Sequence, residues 1–234
     1  MDFYKPLSEL VNGPYAHGSI YPPLPQLVYK EMLRFVPFDI AIKGASSIRK
    51  TQEGQMVFLM YQLLTLLTLF ILIMTIKKGT NFEKYIFILV ILFSAPFLFL
   101  FERANIIFLA ILFLMIFAFF KDSKNRLLKE TALFSLSASI AIKIYPAIFI
   151  IWLLKNKRHK DLIKVLIFSL ILFIFPLFLM GGPGQLLIFI HNLFSASNNI
   201  LSWGTGYSVN IESTARSLGA LLGNFGETPI LIGK

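Results

Sequence analysis

Six apolar segments constrain this chain more than any other feature. They cover residues 56–76, 85–101, 106–120, 131–142, 144–154 and 165–180. The first has the length of about 20 residues that a membrane-spanning helix needs, whereas the fourth and fifth are too short to span alone. With 25 Phe and 56% apolar residues in 234, one soluble core could not bury this hydrocarbon. The sequence therefore predicts an all-α polytopic membrane protein.

Three short basic loops separate these segments. Loops 77–84 and 121–130 each carry a net charge of +2, and loop 155–164 carries +4, out of +10 for the whole chain. Because Lys and Arg accumulate in the cytoplasmic loops of membrane proteins, we expect all three loops to be cytoplasmic. Topology thus explains the basic charge, and no nucleic-acid partner is expected.

Two neighbouring cytoplasmic loops, 121–130 and 155–164, require the stretch between them to enter the membrane and return as a short helical hairpin. Its turn falls at KIYP, Lys143 to Pro146. Each arm of about 12 residues reaches about 18 Å, so we expect the tip to lie in a protein-lined cavity. The alternative is one helix kinked at Pro146, which would place the loop with charge +4 outside.

The other parts of the chain fall on the non-cytoplasmic side of a transmembrane bundle formed by residues 55–180. Residues 1–54 are rich in aromatic residues and proline, and Gln26 to Phe35 has the pattern of an interfacial helix, which predicts a structured lid. A tethered loop is the alternative for this segment. Residues 181–234 are predicted to form a non-cytoplasmic loop and an incomplete C-terminal region.

Ionisable residues at this face are candidates for a functional site. The sequence ERAN, Glu102 to Asn105, opens an apolar segment, and Lys143 interrupts the apolar sequence SIAIKIYPAIFI. Charged groups at membrane depth are costly and commonly mark a site. The alternatives are a helix cap in which Arg103 pairs with Glu102, and a Lys143 side chain that extends toward the interface.

The order of several short motifs resembles that of a known enzyme family. DFY, NGPY and YPP near the N-terminus, then ERAN opening a helix, then IKIYP before a basic loop, are similar to the GT-C polytopic glycosyltransferases that use polyprenyl-phosphate sugars. Two branches share this order: the bacterial polyprenol-phosphate-mannose-dependent mannosyltransferases and the first mannosyltransferase of glycosylphosphatidylinositol synthesis. The resemblance covers residues 2–155 and, more weakly, Gly206 to Gly219.

The resemblance implies a GT-C-like helical bundle and an inverting transfer of a sugar, with mannose as the first candidate. The donor would be a polyprenyl-phosphate sugar, and the acceptor a lipid or glycan on the non-cytoplasmic face of the membrane, the plasma membrane if the protein is bacterial. In such enzymes an acidic residue in the first non-cytoplasmic loop is the catalytic base, and the matching residue is Asp2. The family's helix before this acid and its helices after the sixth segment have no counterpart here, so we expect a fragment.

The chemistry of such a donor assigns the remaining roles. A polyprenyl phosphate is a good leaving group, so transfer needs a base for the acceptor hydroxyl and cations for the departing phosphate. Lys143 and Arg103 are the candidate phosphate-binding residues. The candidate substrate-binding residues are Tyr21, Glu102, Asn105, Tyr145 and Arg216. For the tyrosines, anchoring at the membrane interface is the alternative role.

No metal cluster is predicted. The chain has no Cys, and His17 and His191 are isolated in the sequence. A divalent cation shared by Asp2 and Glu9 is the one cofactor considered. Two other function classes stay open: a lipid-linked-sugar transporter, which would use an interrupted helix such as the KIYP hairpin but should show internal repeats, and a non-catalytic polytopic membrane protein.

Overall fold

The computed structural model describes residues 3–76 and 79–200, with side chains through residue 195. The described residues form helices, with no strand among them. The helices are α1 (Tyr4–Glu9), α2 (Pro23–Leu33), α3 (Phe38–Ala41), α4 (Ala45–Lys50), α5 (Gln52–Met74), α6 (Asn81–Leu92), α7 (Ala95–Arg103), α8 (Ile107–Phe120), α9 (Arg126–Ile142), α10 (Ile148–Lys155), α11 (His159–Leu179) and α12 (Gly184–Ile200), with 3-10 turns at Leu10–Asn12 and Tyr145–Ala147.

The chain divides into two compact units, Met1–Phe189 and Ile190–Lys234. The boundary lies within α12, a helix in the region for which the sequence predicted no apolar segment. In the second unit, the structure describes the helical residues 190–200. The contacts described below belong to the first unit.

Two helices, α5 and α11, are long and apolar enough to cross a membrane. Helices α6 and α7 pass the same test together but are bent by 65°, so the described residues contain two spans, or three if the bent pair is one span. Segment 85–101 is therefore broken, because Pro96 in the first turn of α7 has no N–H to continue the helical ladder. The prediction of an all-α polytopic membrane protein is confirmed.

Helices α9 and α10 form the predicted hairpin. Arg158, which follows α10, donates from Nη1 to Asp122 Oδ1 and from Nη2 to the Lys121 carbonyl, each at 2.8 Å. Both acceptors precede α9. A continuous helix from residue 126 to 155 would separate its ends by about 44 Å, so this contact excludes a single kinked helix.

Ion pairs hold together the end of the bundle that contains loops 121–130 and 155–164, which we call the basic end. Arg158 Nε donates to Asp161 Oδ2 at 2.7 Å, and Lys129 Nζ lies 3.0 Å from the same oxygen. The Arg158 and Asp161 side chains are 17% and 10% exposed. Because charges so far from water are stable when paired, each partner depends on the other.

The C-terminal end of α5 also lies at the basic end. Thr75 and Ile76 line a cavity of about 730 Å³ together with Asp122 and Ser123. Lys84 at the start of α6 donates to the Met74 carbonyl at 3.0 Å, which caps the last turn of α5. The described residues next to all three basic loops are thus at one end of the bundle.

The N-terminal segment covers the opposite end, which we call the lid end (residues 3–50, 103–107 and 142–147). Its apolar side chains share a buried cluster with the turns after α7 and α9, including Phe3, Leu7, Tyr29, Ile48, Ala104, Ile106 and Ile142. Gly54 in α5 lies so close to α4 that an added Cβ would be 2.0 Å from the Ile48 carbonyl oxygen. This segment is therefore structured, as predicted.

Accessibility of single cysteines tests this arrangement in a chain without native Cys. We expect Ser123→Cys and Asn156→Cys to react with membrane-permeant maleimides alone, because both lie at the basic end, which we predict to be cytoplasmic. Ser46→Cys at the lid end should react with an impermeant maleimide in intact cells. Labelling of Asn156→Cys and Ser46→Cys from the same side would contradict the hairpin.

Removal of the Arg158 guanidinium should destabilise the protein. Arg158→Met removes the hydrogen bonds to Asp122 and Asp161, while Lys129 still pairs with Asp161, and a lost hydrogen bond to a charged group costs about 1.5–3 kcal/mol. We expect a clear drop in the melting temperature of the purified protein in detergent. Lys160→Met is the matched control, because Lys160 is exposed in the same loop. Equal melting temperatures for both variants would show that the ion pairs do not stabilise the hairpin.

Candidate functional site

Lys143 lies at the tip of the hairpin, where α9 ends. Its backbone is extended, with φ −145° and ψ 138°, and Pro146 follows in the 3-10 turn. Pro146 supplies no N–H to continue the helical ladder, and the extended Lys143 separates α9 from the 3-10 turn, so the KIYP sequence interrupts the helix locally. The apolar run thereby breaks at its one cationic residue.

The Lys143 side chain is half-buried against an aromatic ring. Its Nζ lies 4.9 Å from the centroid of the Tyr21 ring, a cation–π contact. Among the described residues, no carboxylate forms an ion pair with Lys143. The Lys143 ammonium thus lies near the tip against the Tyr21 ring, and no carboxylate of the described residues is paired with it.

An open apolar groove of about 290 Å³ is lined in part by Lys143. It runs between α8 and α10, and Lys143 is its one charged lining residue. The other lining residues are Ile107, Ala110, Ile111, Leu114, Tyr145, Pro146, Ile148 and Phe149. The groove surface itself is apolar, and the Lys143 ammonium lies beside it, against the Tyr21 ring.

Hydrogen bonds and ring contacts hold Tyr21 beneath Lys143. The Tyr21 N–H donates to Ser19 Oγ at 3.4 Å, and Gln26 Nε2 donates to the same oxygen at 2.5 Å. The Tyr21 ring lies edge-on to Tyr29, with centroids 6.1 Å apart, and Tyr29 lies 6.2 Å from Phe3. Phe3 follows Asp2 in the sequence, so a row of aromatic contacts connects the start of the described chain with Lys143.

The ERAN turn joins α7 to α8 at the same end. Ala104 adopts a left-handed conformation, with φ 43° and ψ 46°, and the Asn105 N–H donates to the Leu100 carbonyl at 3.2 Å. Asn105 Oδ1 accepts the Ile107 N–H at 3.0 Å, so this side chain caps α8. Arg103 stacks over the Phe99 ring, 4.1 Å from its centroid.

The structure brings together some of the predicted site residues. Lys143 contacts Tyr21 and shares the groove with Tyr145. Arg103 and Glu102 are exposed on the ERAN turn. Asp2 and Arg216 lie outside the described residues, so their roles stay predictions.

Glu9, the second acid considered for a cation site, is half-buried at the end of α1. Burial raises its pKa, and Lys5, whose Nζ lies 3.8 Å from Glu9 Oε1, acts in the opposite direction. In residues 3–76 and 79–200, no group of three or more His, Asp or Glu side chains could hold a metal ion.

Sequence analysis missed two polar residues that act at this end of the bundle. Tyr61 and Gln62 lie in the apolar segment 56–76 and donate hydrogen bonds to carbonyl groups of residues 105 and 101. The signal was a pair of hydrogen-bonding side chains inside an apolar run, where polar groups are costly unless they are paired.

Comparison with protein-family models identifies a family. The family model of glycosyltransferase family 87 (GT87) matches residues 50–232. The match includes the ERAN turn and Lys143 but begins after the segment that carries Tyr21. Neither a curated protein nor a solved structure matches the chain.

Proposed function

Because the chain belongs to glycosyltransferase family 87, we propose that it transfers a sugar from a polyprenyl-phosphate donor to a lipid or glycan acceptor. Family membership makes the chain a membrane glycosyltransferase. The proposal adds the class of donor, an inverting mechanism, and mannose as the sugar. Mannose is favoured because the order of the DFY, NGPY, YPP, ERAN and IKIYP motifs resembles that of polyprenol-phosphate-mannose-dependent mannosyltransferases.

The groove lined in part by Lys143 carries this proposal. A polyprenyl-phosphate sugar combines a long hydrocarbon tail with one phosphodiester and a sugar. The tail would lie against the apolar side chains of α8 and α10, and the phosphate would meet the Lys143 ammonium at the tip. The sugar would then lie near the lid, close to Tyr21. A nucleotide sugar, which has no tail, would leave the apolar groove unused.

The proposed reaction is a single displacement at the anomeric carbon. The acceptor hydroxyl oxygen forms a bond to that carbon while the bond from the carbon to the phosphate oxygen breaks, so the configuration inverts. The hydroxyl proton passes to the Asp2 carboxylate, and the polyprenyl phosphate leaves with the bonding electron pair. Lys143, with Arg103, would stabilise the negative charge that develops on the phosphate.

The lid end would be the non-cytoplasmic face. The residues next to all three basic loops lie at the opposite end of the bundle, and such loops are retained in the cytoplasm. The donor would therefore be used on the outer face of the membrane, the plasma membrane if the protein is bacterial. Loading of the sugar onto the polyprenyl phosphate would belong to a separate enzyme.

Transfer by the purified full-length gene product, reconstituted in proteoliposomes with lipid extract as acceptor, tests the proposal. We expect radiolabelled polyprenyl-phosphate mannose to label an extractable lipid or glycan product. Polyprenyl-phosphate glucose in a parallel reaction tests the choice of sugar. Transfer from a nucleotide sugar, with none from either polyprenyl phosphate, would refute the proposed donor.

The proposed base is tested by Asp2→Asn in the full-length gene product. The substitution preserves size and polarity but removes the proton acceptor, and loss of a general base typically lowers rates by about 10² to 10⁴. We expect the transfer rate to fall by this factor while donor binding changes little. A wild-type rate in the variant would assign the proton transfer to another acid, with Glu9 and Glu102 as the next candidates.

The proposed phosphate contact is tested by Lys143→Met. We expect the KM for the donor to rise about 10- to 100-fold, because a hydrogen bond to a charged group contributes about 1.5–3 kcal/mol. The melting temperature should stay constant or rise, because a half-buried ammonium that forms no ion pair with a described carboxylate costs folding free energy. Lys143→Arg keeps the charge and should retain part of the activity.

Lys160→Met, an exposed lysine at the basic end, serves as the matched control for loss of a positive charge. We expect its donor KM to equal that of the wild type. An unchanged donor KM in Lys143→Met would show that Lys143 merely extends toward the interface. The phosphate site would then have to be sought around Arg103 or Arg216.

A further inference from the structure

Helix α5 presents two buried hydrogen-bond donors to the ERAN turn. Tyr61 and Gln62 are 5% and 7% exposed. Tyr61 Oη donates to the Asn105 carbonyl at 3.1 Å, and Gln62 Nε2 donates to the Phe101 carbonyl at 2.7 Å. The two acceptors lie on either side of Arg103 in the sequence.

Both carbonyls already take part in the backbone geometry of the turn. The Phe101 carbonyl accepts the Ala104 N–H at 3.0 Å, and the Asn105 carbonyl accepts the Phe108 N–H at 3.0 Å. Between them, Ala104 adopts the left-handed conformation at φ 43°, which is unfavourable for a residue with a Cβ. The two α5 side chains thus fix the turn on both sides of its least favourable residue.

Two threonines of α5 act differently. Thr65 Oγ1 donates to the Tyr61 carbonyl at 2.9 Å, and Thr68 Oγ1 donates to the Leu64 carbonyl at 2.7 Å. These hydrogen bonds stay within the helix and stabilise no neighbouring element. Tyr61 and Gln62, in contrast, connect α5 to the ERAN turn, about 40 residues later in the sequence.

The turn that Tyr61 and Gln62 hold is packed against the tip of the hairpin. Ala104 and Ile106 are buried in the same cluster as Ile142, the residue before Lys143. The position of Arg103 relative to Lys143 therefore depends on the backbone of this turn. We propose that Tyr61 and Gln62 are positioning residues, which hold the Arg103 turn and the Lys143 tip at the spacing that the donor phosphate requires.

This inference rests on the proposed function, and the kinetics of conservative variants test it. Tyr61→Phe and Gln62→Met remove the donor groups and keep most of the volume. With polyprenyl-phosphate mannose in proteoliposomes, we expect each variant of the full-length protein to raise the donor KM about 3- to 10-fold, the range for loss of one interhelical hydrogen bond. The turnover number should change little. Thr68→Val, which removes a hydrogen bond within the same helix, should behave as the wild type.

A double-mutant cycle separates positioning from general stabilisation of the fold. If Tyr61 acts through the turn that carries Arg103, then Tyr61→Phe should have little further effect on donor KM in an Arg103→Ala background. A loss of stability alone would lower the melting temperature and the active fraction and leave the donor KM constant. Equal effects of Tyr61→Phe in both backgrounds, or a constant donor KM in both single variants, would overturn the inference.

The activity of the wild-type protein distinguishes failure of the proposed function from failure of the positioning role. If the wild type transfers no sugar from the polyprenyl-phosphate donor, the proposed function is wrong and the positioning role falls with it. If the wild type transfers sugar and both single variants keep its donor KM, the proposed function stands and the positioning role alone is wrong.

Discussion

The ion pairs of Arg158 are the interaction on which the rest of this structure depends. One guanidinium donates to the Asp161 carboxylate on α11 and to the Asp122 carboxylate and the Lys121 carbonyl before α9. Its rigid, forked donor geometry joins three segments at once, which a single ammonium could not do. Because this junction brings both ends of the α9–α10 hairpin together, the tip must lie at the opposite end, beside the lid.

The hairpin tip makes a charged lysine tolerable in an apolar sequence. An ammonium at the centre of a membrane helix costs about 2.5–3.5 kcal/mol on insertion scales. Lys143 avoids that position, since it lies where α9 ends and where the Tyr21 ring faces its Nζ. A cation–π contact recovers about 0.5–2 kcal/mol of the desolvation cost. Lys143 thus stays half-buried beside an apolar groove, with its ammonium against the Tyr21 ring.

The charges of the loops predicted the hairpin, because topology depends on the summed charge of many lysines and arginines and does not depend on any single residue. The roles of single residues were less predictable. Tyr61 and Gln62 bond to residues about 40 positions away, and no local pattern specifies such a partner. The bend between α6 and α7 was missed because apolar character continues across Pro96. For Asp2 and Arg216, outside the described residues, the predicted roles stay predictions.

The candidate site combines two parts of the chain. Lys143, the groove and the ERAN turn belong to residues 50–232, which match the glycosyltransferase family. Tyr21 lies before the match, yet its ring contacts the Lys143 ammonium. The lid is held by buried packing as well, since Phe3 is 1% exposed and shares a cluster with Ile142. Because removal of the lid would take away the Tyr21 ring that contacts Lys143, the N-terminal segment is a structural part of the candidate site.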